Sequence, residues 1–309
     1  MTSNKSSFTF MKKITFLLII LLLANKINAQ GCSDAGICSI NHGFSSDEEQ
    51  FKNKLEFATI YSLGEADVAY FSPYVSYTKR FNERFSFTSK ITFSTANGSF
   101  GTRSQFGDAF VIGNYTFKEK NKKQWSVLTG FKFPFTASNL KINGYSLPLD
   151  YQSSLGTIDL FLGTNLNYKK WDFNAALQLP IVNLNKNSYF KEYGGTDDFP
   201  STNLFERKPD ALVRATYSIK TPNKKFTFKP NVLFIYHLGE DSFENVFGQR
   251  ENIKGSDGLT INGNLITSYA VSKQSSLELS VATPFIVREI RPDGLTRSFV
   301  LGLQYQYSF

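Results

Sequence analysis

Short and long links alternate in phase along most of this chain, and few all-β architectures produce that phase. From Leu55 onward, about twelve segments of roughly ten residues read as strands, the length a tilted strand needs to cross a bilayer. They fall at 55–63, 67–79, 85–97, 107–118, 124–136, 155–169, 171–183, 209–220, 225–238, 258–272, 276–288 and 297–309. The short links read KRFNER (79–84), KEKNKKQ (118–124), KKWD (169–172), KTPNKK (220–225) and SKQS (272–275). Between them lie 98–106, 137–154, 184–208, 239–257 and 289–296, which are mostly longer, with 63–66 as a short exception. A soluble β-sandwich has no reason to keep short and long links in phase, whereas a transmembrane barrel has short turns at one end and longer loops at the other. The expected fold is therefore all-β: an antiparallel up-and-down transmembrane barrel of about twelve strands. An even strand number puts both barrel ends on one side, the periplasmic one.

Alternation inside the strands supports this. In Thr296–Phe309, TRSFVLGLQYQYSF, the residues Arg297, Phe299, Leu301, Leu303, Tyr305, Tyr307 and Phe309 share one face; Ser298, Val300, Gly302, Gln304, Gln306 and Ser308 share the other. In 124–136, Trp125, Val127, Thr129, Phe131, Phe133 and Phe135 oppose Ser126, Gly130, Lys132 and Thr136. The segments 225–238, 258–272 and 276–288 repeat the pattern, and 31 Phe and 15 Tyr suit strands. Trp125, Trp171, Tyr168, Tyr217, Phe226, Tyr269 and Tyr307 lie at strand ends beside the short turns, where an aromatic girdle is expected. The same turns are rich in Lys and Arg, which either meet lipid headgroups or form well-hydrated turns.

The N-terminus points to export. Lys12 and Lys13 precede an apolar run, Ile14 to Ala24, too short for a membrane helix. A small residue follows at Ala29, so 1–29 reads as a secretory signal peptide. Residues 30–54 read as a periplasmic segment, either a tail or a small plug, and 55–309 as the outer-membrane barrel. Cys32 and Cys38 are the two cysteines; in an exported chain a pair this close is expected to form a disulfide, with lipidation at Cys32 as the rival. The net charge of +8 would suggest nucleic acid in a cytosolic protein, and export removes that reading. With only His42 and His237, no metal or other cofactor is expected.

Three stretches resemble one family. SQFGDAFVIGNYTF (104–117), VLTGFKFPFTAS (127–138, with Lys132 and Pro134) and YQSSLGTIDLFLGTNLNYKKWDFNAALQLP (151–180) are similar to segments of the outer-membrane proteins typified by the meta-pathway phenol-degradation (MetA-type) barrels. Phe106 before Gly107 and Asp108, and Ile158 before Asp159, depart from the family pattern. The resemblance implies a barrel that passes small molecules; it names no substrate.

By alternation, Lys90, Asp108, Lys132, Asp159, Arg214, Lys229, His237, Glu278 and Arg288 face the lumen. Cations outnumber anions among them, so the lumen is expected to tolerate anions, while the acids brace the barrel by neutralising some of the bases. Asp108 and Asp159 are expected to be structural. Pro134, Pro180 and Pro284 fall on lumen-facing strand positions and mark bulges or kinks, with a side exit into the bilayer as a further hypothesis. A lone rim histidine, His237, lacks the nucleophile pattern of a hydrolase, so no enzyme is expected. The expected function is passive uptake of small, hydrophobic or weakly anionic molecules across a Gram-negative outer membrane. The rivals are a lipid-acting barrel enzyme and a closed structural or adhesive barrel. The partners are the lipid bilayer, a small solute and the barrel-assembly machinery, which would read Phe309 as an aromatic terminal signal; nucleic acid is not one. Nothing in the sequence specifies an oligomer.

Overall fold

A computed structural model describes residues 51–294 and 297–309. The expected signal peptide, the expected Cys32–Cys38 disulfide and most of the segment 30–54 lie outside the described residues. Twelve strands form the wall: β1 (Asn53–Leu63), β2 (Ala69–Arg80), β3 (Phe85–Gly98), β4 (Gly101–Thr116), β5 (Lys123–Pro134), β6 (Thr157–Tyr168), β7 (Trp171–Asn183), β8 (Asp210–Tyr217), β9 (Phe226–His237), β10 (Gly258–Ala270), β11 (Ser275–Ile286) and β12 (Phe299–Ser308). Each pairs antiparallel with its sequence neighbours, and Ile219–Lys220 continues β8 along β9. Closure comes from β12 on β1, in register from Lys54 opposite Ser308 to Leu63 opposite Phe299. Closure leaves no unpaired edge, which a sheet in lipid requires.

Outward positions are apolar and exposed, as at Phe71, Val75, Ile91, Phe131, Leu177, Val213 and Leu303. The alternate positions Ser76, Lys90, Lys132, Gln178, Arg214 and Gln304 are buried inside. Soluble monomers do not expose a continuous apolar band around their girth, so this is the surface of a membrane-spanning barrel. Among the described residues no helix is long and apolar enough to cross a membrane. At the short-turn end, rings pair across strands: Trp171 with Tyr217 at 4.9 Å and Phe226 with Tyr269 at 4.8 Å between centroids. Phe309 stacks on Tyr307, and its backbone exchanges two hydrogen bonds with Asn53, extending the closing seam.

Two expectations need correction. Residues 98–106 are not a long loop: β4 begins at Gly101, and a turn at Ser99 and Phe100 joins it to β3. The cause is a bulge. Ile91 pairs with Ala109 and Phe93 with Phe106, so Thr92 alone faces the two residues Gly107 and Asp108. The extra residue shifts the alternation, and 101–106 continue the strand in a new frame. Arg297 does not share the outward face of the last strand. It precedes β12 and turns in, with its guanidinium 3.4 Å from the centre of the Tyr70 ring.

The three prolines all sit beside bulges. Pro134 pairs with Asp108 at the bulge just described. Pro180 pairs with Asp159 while Val182 pairs with Ile158, leaving Ile181 extra. Pro284 pairs with Asn262 while Ile286 pairs with Ile261, leaving Phe285 extra. Proline cannot donate to the ladder, so a local break in pairing accommodates it.

Candidate functional site

The interior has two unlike walls. On the β4–β9 side, inward residues Phe110, Ile112, Leu128, Phe161, Leu212 and Leu233 pack into one buried apolar cluster, with the Phe110 and Phe161 rings stacked at 6.1 Å. These positions should be polar if a barrel interior is simply wet, and binary patterning gave no sign of them. Across the barrel, β9–β12 and β1–β2 present amides, hydroxyls and carboxylates. Asn264 donates to Asn231 at 2.7 Å, Ser268 to Glu278 at 2.9 Å, and Tyr74 to Gln304 at 2.9 Å. Gln304 donates to Glu56, which also pairs with Lys54 at 3.0 Å. Lys90 bridges the walls: its ammonium lies 3.8 Å from the centre of the Tyr74 ring and 5.6 Å from that of Phe110.

Toward the long-loop end the interior becomes a charge network. Lys132 pairs with Asp159 at 2.9 Å and donates to Thr157; Gln178 donates to the same Asp159 oxygen at 2.5 Å. Asp108 accepts from Ser154 at 2.6 Å, and its backbone N–H reaches Thr92 Oγ1 at 2.8 Å. Gly107 beside it leaves room for the incoming loop: a Cβ there would stand 2.8 Å from the Ser153 carbonyl oxygen. Both family-like aspartates thus hold structure together in this arrangement. The base surplus expected from sequence shrinks, because Lys132 has Asp159 and Arg288 has Asp293 at 2.8 Å. Arg288 also sits two residues beyond the end of β11, in the following link, rather than within a strand. Arg214 is buried in β8 between Asn174 and Leu233 of the flanking strands, and Lys229 faces inward from β9.

His237, the last residue of β9, is the centre of the mouth. Its Nδ1 lies 2.6 Å from Asp210 and its Nε2 2.8 Å from Asp241. Arg207 reaches Asp210 at 2.5 Å and Asp293 at 3.5 Å. Burial alone would lower the Arg207 guanidinium, but Asp210 and Asp293 override it and hold it above its ordinary value. Burial would raise Asp293, yet Arg288 and Arg207 hold its carboxyl well below the usual carboxylate range. With both ring nitrogens facing carboxylates, His237 has no free nitrogen to take a proton from a nucleophile. The geometry makes it a brace.

The long links fold over this end as a packed layer. Tyr70, Val68, Leu147, Tyr151, Tyr189 and Phe199 form one buried cluster there, and Leu149, Leu155, Phe205 and Ile253 another. Asparagines bracket the loops: buried Asn187 donates to the Ser138 and Leu147 carbonyls and accepts from Tyr189 N–H and the Thr202 hydroxyl. The last link, 287–298, is held by Arg291 to Glu65, Asp293 to Arg207 and Arg297 on Tyr70. Asp150 is buried under it; burial pushes its carboxyl up to about 6, against the pull of Arg297 and a hydrogen bond from Tyr70. A cavity of about 500 Å³ opens among the loops, lined by Glu65, Asp197, Asp198, Glu289, Lys191 and Arg291 together with Phe243, Ile253 and Ile290.

No protein-family model and no curated protein sequence matches the chain. Solved structures do resemble it. The crystal structure of an outer membrane channel from Pseudomonas putida F1 superposes with a TM-score of 0.56 at 12% identity, covering 85% of this chain and 99% of that one. The KdgM porin aligns at TM-score 0.43 and 12% identity over 83% of this chain and 99% of that chain. The CymD monoaromatic hydrocarbon channel aligns at TM-score 0.43 and 10% identity over 88% and 92%. At these identities, the first of the three shows the barrel fold that the chain adopts.

Proposed function

We propose that this chain is an outer-membrane channel of a Gram-negative bacterium for passive passage of small molecules, hydrophobic or weakly anionic in character. The observation that carries the reading is the pairing of an apolar outer belt with an interior holding both an apolar wall and buried charges. The apolar wall suits the hydrophobic part of a solute, and Lys90 and Arg214 beside it suit a weak negative charge. The cavity among the loops is the outer vestibule. The residues Lys90, Asp108, Lys132, Asp159, Arg214, Lys229, His237, Glu278 and Arg288 line the path or brace it. The MetA-type resemblance belongs to the same proposal and supports it through the residues 104–117, 127–138 and 151–180. Phe309, exposed on the lipid side, is the residue offered to the barrel-assembly machinery; its removal lowers membrane levels more than transport per assembled molecule.

The packed mouth favours a low-conductance resting state, which is the specific point in favour of a closed structural barrel. Planar-bilayer recording and solute uptake by proteoliposomes separate the two. A channel conducts, and substituting Arg207 or Asp293 raises conductance by loosening the mouth. Silence of both the native protein and these variants, with no solute uptake, overturns the channel reading.

A further inference from the structure

The short-turn end carries a charge pattern that the channel reading does not use. The β4–β5 turn holds Lys118, Lys120 and Lys122 with Lys123 opening β5 beside them, and the β6–β7 turn holds Lys169 and Lys170, all exposed. The two turns are neighbours on the rim, because β5 and β6 pair from Lys123 opposite Tyr168. Glu119 is the one acid in these turns. Aromatic rings fix the depth of the patch. Lys123 and Lys169 hold their ammoniums 5.7 and 5.0 Å from the Tyr168 ring centre. Trp125 and Trp171, outward and exposed, stand immediately above in the girdle that marks a bilayer interface. Lys123 and Lys169 therefore stand at headgroup depth beside an outward ring, and the other four lysines lie exposed on the same stretch of rim. The other end is different: its exposed loops bring Asp197, Asp198, Glu240 and Glu251 alongside their bases.

We propose that these two turns form a binding surface for anionic phospholipid headgroups of the leaflet at the short-turn end, of the phosphatidylglycerol kind. The inference rests on the membrane reading above and adds a lipid preference to it. Each lysine near an anionic surface contributes attraction that salt weakens. A compact cluster of six favours a charged headgroup over a zwitterionic one by several-fold.

The two tryptophans of the chain make the test direct, since both stand at this patch. The full chain is reconstituted in phosphatidylcholine vesicles containing equal fractions of brominated phosphatidylcholine or brominated phosphatidylglycerol, and tryptophan quenching is read. The expected result is a relative association for the anionic lipid roughly threefold or more above the zwitterionic one. It falls toward parity in high salt and when all six lysines are changed to Gln. The Lys169→Gln, Lys170→Gln pair serves as a second variant, with heat-modifiable migration checking that each barrel is formed. Equal quenching by the two lipids, or a preference unchanged in both folded variants, overturns the proposal. Absence of quenching by either lipid instead overturns the membrane reading itself.

Discussion

The two ends of this barrel are both built from polar links, and they are held in unlike ways. At the short-turn end each turn is closed locally: Asn82 accepts from the Arg84 and Phe85 N–H groups, Asn223 from Lys225, and Ser272 from Gln274 and Ser275. At the long-loop end partners lie far apart in sequence. Asn187 spans to Ser138 and Leu147, Arg207 to Asp293, and Arg297 to Tyr70. The first kind of link is an independent unit on solvent-exposed bonds. The second kind is a cooperative layer whose bonds are buried, so each is strengthened by its surroundings and costly to leave half made. A single substitution should therefore be absorbed at one end and propagated at the other.

The largest effect is expected from Arg207→Ala, which leaves Asp210 and Asp293 buried without this cation. Removing one partner of a buried pair costs about 3–5 kcal/mol. Hydrogen exchange should show the amides of 184–209 and 287–298 losing protection while the strand amides keep theirs. Loss confined to residues 207–210 would mean that the mouth is not one cooperative layer. Next comes Asn187→Ala. It takes this partner from the Ser138 carbonyl, the Tyr189 N–H and the Thr202 hydroxyl, while the Leu147 carbonyl keeps the Gln152 amide; a buried group left unpaired costs about 1–3 kcal/mol. Limited proteolysis should then cut within 138–147 as well as within 184–209.

A subtler difference between the ends appears with pH. The Asp150 carboxyl, pushed up to about 6 from an ordinary 3.8, keeps its proton in the folded mouth where the unfolded chain has lost it. The stability of the mouth from this group therefore falls as pH rises from about 4 to about 6. Asp293 works in the opposite sense: its stabilisation is complete above the ordinary carboxylate range and is lost as pH falls below it. Asp150→Asn should flatten the first arm and protect the mouth better at neutral pH, with exchange at the short-turn end unchanged. The smallest effect belongs to the turns. Asn82→Ala breaks two exposed bonds and should cost only about 0.5 kcal/mol, read by urea unfolding; a loss comparable to that of Asn187→Ala would erase the contrast between the ends.

Most of the wall was legible in the sequence, because a strand writes its two faces into alternate residues and the links mark its ends. Lys132 and Asp159 were placed inside by that rule alone, and the structure joins them. The rule speaks only of faces, not of partners. It could not place Phe110, Leu128, Phe161 and Leu233 in one cluster, since inward apolar residues on separate strands look like isolated exceptions until the barrel is closed. It placed Asp108 inside correctly but missed 101–106, because the extra residue at Gly107 and Asp108 changes the frame of the strand before it. It had nothing to read in the loops, whose order comes from side chains such as Asn187 and Arg207 reaching segments that carry no period of their own. The His237 brace was half hidden for the same reason: Asp241 lies four residues on, but Asp210 meets the ring only in space.

The bulges carry a consequence for how this chain tolerates change in its length. Within a regular strand, losing one residue turns everything between the loss and the next link inside out. At a bulge the chain already holds one residue more than its partner needs. Removing Ile181 would leave Pro180 inward and Val182 outward, as they already are, and remove the bulge between them. Losing Leu177, four positions earlier on the same strand, would expose Gln178 to lipid or drag apolar side chains into the lumen. The barrel thus contains a few sites where a one-residue deletion is a local event, set among many where the same deletion reverses a wall.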